Sequence, residues 1–151
     1  MSTPPYYQQK AGLFNVGSYQ VSGRVYITGS VIDSANHSQG EVRIQFPNVT
    51  KNITVINTTT SVPIRVYFNA STASNGFNGA GAYPDGSPIN GLHFITLEEK
   101  KDSASFGVKC QEMYVALQGA TGTGSCEIWA ELTGIAPQEM FALTGSGLTT
   151  P

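Results

Sequence analysis

Charge is what this chain has least of: 12% of its 151 residues are Asp, Glu, Lys or Arg, against about 25% in an ordinary soluble domain. Its surface must therefore be built largely from Ser, Thr, Asn, Gln and Gly. Such a surface is inexpensive to cover, because buried unpaired charge is what makes contact costly. The net charge of −2 and pI near 5.6 leave no basic footprint for phosphates, which argues against nucleic acid as a partner. No apolar run approaches the 18 or so residues of a membrane span, so no direct membrane span is expected. The opening MSTPPYYQQK lacks the basic and apolar regions of a signal peptide, and the chain is read as made and kept in a cytosolic compartment.

Titratable and metal-ligating groups are equally scarce. Only His37 and His93 are present, and without a His-x-His cluster near a carboxylate a cupin-type metal site is not expected. The cysteines are Cys110 and Cys126. A hairpin of 112–117 with 126–132 about the turn 119–125 would set Cys126 opposite Gln118 and Cys110 opposite Gly134. That separation exceeds the roughly 7 Å limit of a disulfide, so free, partly buried thiols are expected, as suits a reducing compartment.

What the chain does have is strand periodicity, without a helical stripe of any length. Val62, Ile64, Val66 and Phe68 alternate with Pro63, Arg65, Tyr67 and Asn69, the period of two that a half-buried strand requires. Further strand-like runs fall at 24–32, 41–46, 52–57, 92–97, 104–108, 112–117 and 126–132, separated by Gly, Asn, Ser and Pro clusters. With the first, these predict an all-β fold, an eight-stranded antiparallel β-sandwich. The domain is read as 12–136, with an N-terminal arm at 1–11, a C-terminal tail at 137–151, and a long polar loop at 70–90.

Few constellations carry chemistry. Pairing Cys110 or Cys126 with a histidine base would make a nucleophile, but His93 alternates with Leu92 and Phe94 and is expected to face solvent or an interface. Glu127, Trp129 and Glu131 share one face of a strand. Two carboxylates beside an aromatic could bind sugar or act as acid and base, and the competing reading is the polar face of an outer strand. Gly79-Ala-Gly81 and Gly122-Thr-Gly124 lack the following helix and the Lys-Ser/Thr ending of a phosphate loop and are read as turns. Asn-x-Ser/Thr sequons at Asn36, Asn48, Asn52, Asn57 and Asn69 are read as composition. No residue is assigned to catalysis, cofactor binding or metal, and no cofactor is expected.

The stretches GRVYITGS (23–30), FPNVTKNITVIN (46–57) leading to IRVYF (64–68), VKCQEMYV (108–115) and EIWAELTGI (127–135) resemble the penton, or vertex, capsid proteins of large icosahedral double-stranded DNA viruses. The resemblance covers about 12–140. It implies a non-enzymatic structural virion protein: a single jelly roll, assembled as a homopentamer at the capsid vertex beside the major capsid protein and minor capsid proteins, made in the host cytoplasm. The alternative is a carbohydrate-binding, lectin-like module or a vertex spike for host attachment, in which exposed Trp129, Tyr67 or Tyr83 would stack on sugar rings.

Overall fold

Period-two alternation decides which side of each strand meets the opposing sheet, and the chain resolves it into eight strands. The computed structural model describes residues 12–13, 16–17, 23–36, 40–68, 94–119 and 122–140. Its strands are β1 (Arg24–Asp33), β2 (Glu41–Gln45), β3 (Thr50–Asn57), β4 (Ile64–Tyr67), β5 (Ile95–Leu97), β6 (Ser103–Phe106), β7 (Glu112–Leu117) and β8 (Thr123–Leu132), followed by a 3-10 turn at Pro137–Glu139. The expected N-terminal arm at 1–11, residues 141–151 of the expected tail at 137–151, and the loop at 70–90 lie outside the described residues.

The strands form two four-stranded antiparallel sheets, ordered β1-β8-β3-β6 and β2-β7-β4-β5. Within them the first strand pairs with the last, the second with the seventh, the third with the sixth and the fourth with the fifth. This is a single antiparallel ribbon rolled upon itself, with β3–β8 and β4–β7 pairing across the roll. The eight-stranded sandwich is thus a jelly roll.

The hairpin of 112–117 with 126–132 does not form, because β7 and β8 lie in different sheets. Cys126 instead lies opposite Ser30 on one side and Asn57 on the other. The turn ahead of β8 is also shorter than expected: Thr123, Gly124 and Ser125 already pair with Asp33, Ile32 and Val31. Strand β4 differs in another way. Its four residues are buried on both faces, Arg65 and Tyr67 included.

The space between the sheets is filled by the inward rows: Ile53 and Val55 of β3, Ile64 and Val66 of β4, Met113, Val115 and Leu117 of β7, Ile128 and Leu132 of β8. Aromatic pairs extend this core, with Tyr26 edge-on to Phe46 at 5.5 Å and Phe68 edge-on to Phe106 at 5.5 Å. Gly124 of β8 packs against β7: a Cβ there would stand 2.8 Å from Leu117 Cδ2. A larger residue there would require the buried Leu117 side chain to shift. A smaller cluster of Val49, Ile135 and Met140, with Leu13 against it, closes one end of the roll.

Two buried polar side chains tie the irregular segments to the strands. Thr50 Oγ1 donates to the Val108 carbonyl at 2.7 Å and accepts from the Cys110 N–H at 3.1 Å, holding the approach to β7 beside the register shift in β3. Asn57 is fully buried. Its Nδ2 donates to the Val62 and Leu97 carbonyls, both at 3.0 Å, and its Oδ1 accepts from the Thr59 N–H at 2.9 Å. One sequon asparagine therefore joins β3, the turn after it and β5.

Replacing Asn57 by Ala takes the partner from the buried Leu97 carbonyl and from the part-buried Val62 carbonyl and Thr59 N–H and is expected to cost about 3 kcal/mol. Asn36→Ala, at an exposed turn where Asn36 Nδ2 meets Asp33 Oδ2, is expected to cost under about 1 kcal/mol. Urea unfolding of both variants checks the contrast, and equal midpoints would refute it.

Candidate functional site

The two outer faces of the sandwich differ in character. On the β2-β7-β4 face, polar and aromatic side chains contact one another. Tyr67 and Tyr114 stack with centroids 6.0 Å apart and planes 10° from parallel. Tyr114 donates from its hydroxyl to Glu112 Oε1 at 2.8 Å, while Arg43 Nε donates to Glu112 Oε2 at 2.7 Å and Tyr67 donates to Glu41. Burial, then the bond to Glu112, raises the Tyr114 phenol, and the bond to Glu112 raises the Arg43 guanidinium. Arg65 lies with its guanidinium carbon 4.1 Å from the Phe94 ring centroid, a cation–π contact. Tyr67 is 3% exposed, so it offers no stacking platform for a sugar, contrary to the carbohydrate reading.

The β1-β8-β3 face is open. Along β1 the inward positions are Tyr26, Thr28, Ser30 and Ile32, and the outward ones carry Val25, Ile27 and Val31, exposed at 60%, 74% and 59%. Outward on β8 stand Glu127, Trp129 and Glu131, sharing a face as the spacing predicts. Register places Trp129 between Ile27 of β1 and Thr54 of β3, and Glu127 between Gly29 and Ile56. Between these rows lies a shallow depression of about 420 Å³ lined by Ile27, Gly29, Ile56, Glu127 and Trp129.

Both cysteines are free and buried. Cys110 Sγ is 3.3 Å from Thr50 Oγ1. Burial raises both thiols to about 11, which suits packing groups and disfavours nucleophiles. His37 and His93, the bases that thiol chemistry would need, lie outside the described residues, as do Tyr83 and Asn69. Among the described residues no group of three His, Cys, Asp or Glu could hold a metal ion, and no helix is long and apolar enough to cross a membrane. Asn48 Nδ2 donates to the Ile135 carbonyl at 3.2 Å, while Asn52 lies half-buried on β3 opposite Glu131.

The exposed apolar row of β1 and the depression beside it were not apparent from the sequence. In 24–32 both alternating sets contain apolar residues, so periodicity alone does not choose the outward one. The fold defines the class of protein, a single jelly-roll β-sandwich. In comparisons with protein-family models, curated proteins and solved structures, nothing matched this chain.

The thiol environment sets a pH dependence. Because the folded-state thiols titrate near 11 and the unpaired groups near 9, the unfolded chain releases protons first as pH rises. The stability they contribute is complete below about pH 9 and is lost as pH rises towards 11. A thiol reagent at pH 8 is expected to modify neither cysteine of the native protein and both after unfolding. Rapid labelling of the native protein would contradict this. The fall in stability across that window is expected to be shallower in Cys126→Ala than in the unsubstituted chain.

Proposed function

We propose that this chain is a structural virion protein that forms the pentameric vertex, or penton, capsomer of an icosahedral capsid by self-assembly. In this reading it acts without catalysis, packs against major and minor capsid proteins, and is made and assembled in the host cytoplasm. The observation that carries the reading is where the capsid-like stretches fall. They lie on β1, on β3 and the turn before it, on β4, on β7 with its approach, and on β8. These are the strands and turns of the roll, the parts that a shell protein's role depends on.

The surface supports the same reading. A cyclic ring of identical subunits needs a heterologous interface, two different sides of one protein that fit each other. The exposed apolar row of β1 lies at one edge of its sheet, and half-exposed Ile95 lies on β5, the edge strand of the other sheet. Strand β1 packs towards β2 and β7, so β1 and β5 bound opposite sides of the sandwich. Along β1 the charged residues are Arg24 and Asp33, at its two ends. A long apolar edge strand without charge or proline in its middle is a surface built for contact.

The native mass of the purified chain, measured by light scattering or native mass spectrometry, is expected at five times the 16.0 kDa protomer. A threefold mass or a strict monomer would count against the pentamer. Val25→Asp combined with Val31→Asp places two unpaired carboxylates in the row and is expected to reduce the mass to that of the protomer. These positions are exposed, so the unfolding free energy should move by no more than about 0.5 kcal/mol per site.

A further inference from the structure

Gly29 is the position in β1 where the sequence forgoes stability without a steric reason. A glycine inside a strand costs backbone entropy and leaves no side chain to pack. At Gly29 the backbone is outside the left-handed region, and a Cβ would meet only the Cys126 carbonyl oxygen at 3.7 Å, an ordinary contact. Neither backbone conformation nor packing therefore demands glycine there. What its missing side chain does is interrupt the outward row between Ile27 and Val31 and open the depression of about 420 Å³.

The walls of that depression specify a chemistry. One is the indole of Trp129, half-buried, and another is Ile56; Ile27 closes the β1 side. Glu127 lies opposite Gly29, and Glu131 stands one outward position beyond Trp129 on the same face. Among the described residues, neither carboxylate accepts a hydrogen bond or pairs with a cation. The depression therefore offers an apolar face with one lining group, Glu127, that only accepts, and Glu131 further along the same strand. A pyranose presents the complement, a ring face of C–H groups and a rim of hydroxyl donors. A protein neighbour pressed flat over β8 would bury both carboxylates without partners, at considerable cost, whereas the apolar row at the β1 edge carries no such charge. An anionic sugar would be repelled.

We propose that the outer face of β1 and β8 binds a neutral pyranose sugar, its ring against Trp129 in the space left by Gly29 and its hydroxyls donating to Glu127. The site shares Ile27 with the β1 row of the ring assembly proposed above, but binding there does not depend on that assembly.

Trp129 is the only tryptophan in the chain, so its fluorescence reports on this site alone. The full-length protein is titrated with methyl β-D-galactopyranoside, methyl β-D-glucopyranoside and 3′-sialyllactose. At least one neutral glycoside is expected to give a saturable change with a midpoint on the order of 1 mM, and the acidic sugar none. Gly29→Val is expected to weaken the response at least about tenfold, with native mass and urea unfolding of the variant recorded alongside. Absence of a saturable response to both neutral glycosides overturns the proposal, and so does an undiminished response in Gly29→Val. A Gly29→Val variant with lowered native mass and no sugar response in the parent would reassign the depression to contact between copies.

Discussion

Strand β8 is the member on which the arrangement depends. It is paired along both edges, to β1 through ten consecutive residues and to β3 through most of its length, while its inward row of Cys126, Ile128, Ala130 and Leu132 is buried against the other sheet. A strand satisfied on both edges and on one face leaves a single surface to the outside. On β8 that surface carries Glu127, Trp129 and Glu131, so the strand that closes the roll also supplies most of the chemistry on its open face. At the start of β8, Gly124 leaves room for Leu117 of the facing sheet, and the register of everything outward on β1 follows from the ladder.

Strand existence was legible in the sequence because alternation is local. The runs at 24–32, 41–46, 52–57 and 112–117 correspond to β1, β2, β3 and β7 within two residues at either end. Partnership was not legible, because a period of two says that a strand has a buried face and nothing about its neighbour. The expected hairpin before β8 shows the difference: proximity in sequence suggested pairing, whereas β7 and β8 face one another across the core. Strand β4 shows a second limit. Arg65 and Tyr67 carry the polar atoms of an outward row, yet both are buried, because Tyr114, Phe94 and Glu41 supply stacking and hydrogen-bond partners from elsewhere in the chain.

The candidate site divides along the same line. That Glu127, Trp129 and Glu131 share a face is a property of one strand and could be read directly. That Gly29 stands beside Glu127 and opens a depression depends on the β1–β8 register, which no single segment encodes. The thiols were expected to be free, and they are, for a reason other than the one the spacing suggested: each is enclosed in the core with its burial opposing ionisation.

The pairing of first strand with last has a consequence in time. Arg24 finds its partner in Leu132 and Asp33 finds Thr123, so β1 leaves the ribosome long before β8 exists. Until then its outward Val25, Ile27 and Val31 and its inward Tyr26 and Ile32 are both without cover. Topologies dominated by such distant pairings fold in milliseconds to seconds and stay exposed to aggregation meanwhile. Copies synthesised side by side would meet one another's nascent β1 strands in the same interval, and correct folding becomes a race between closing the roll within one chain and joining edges between two.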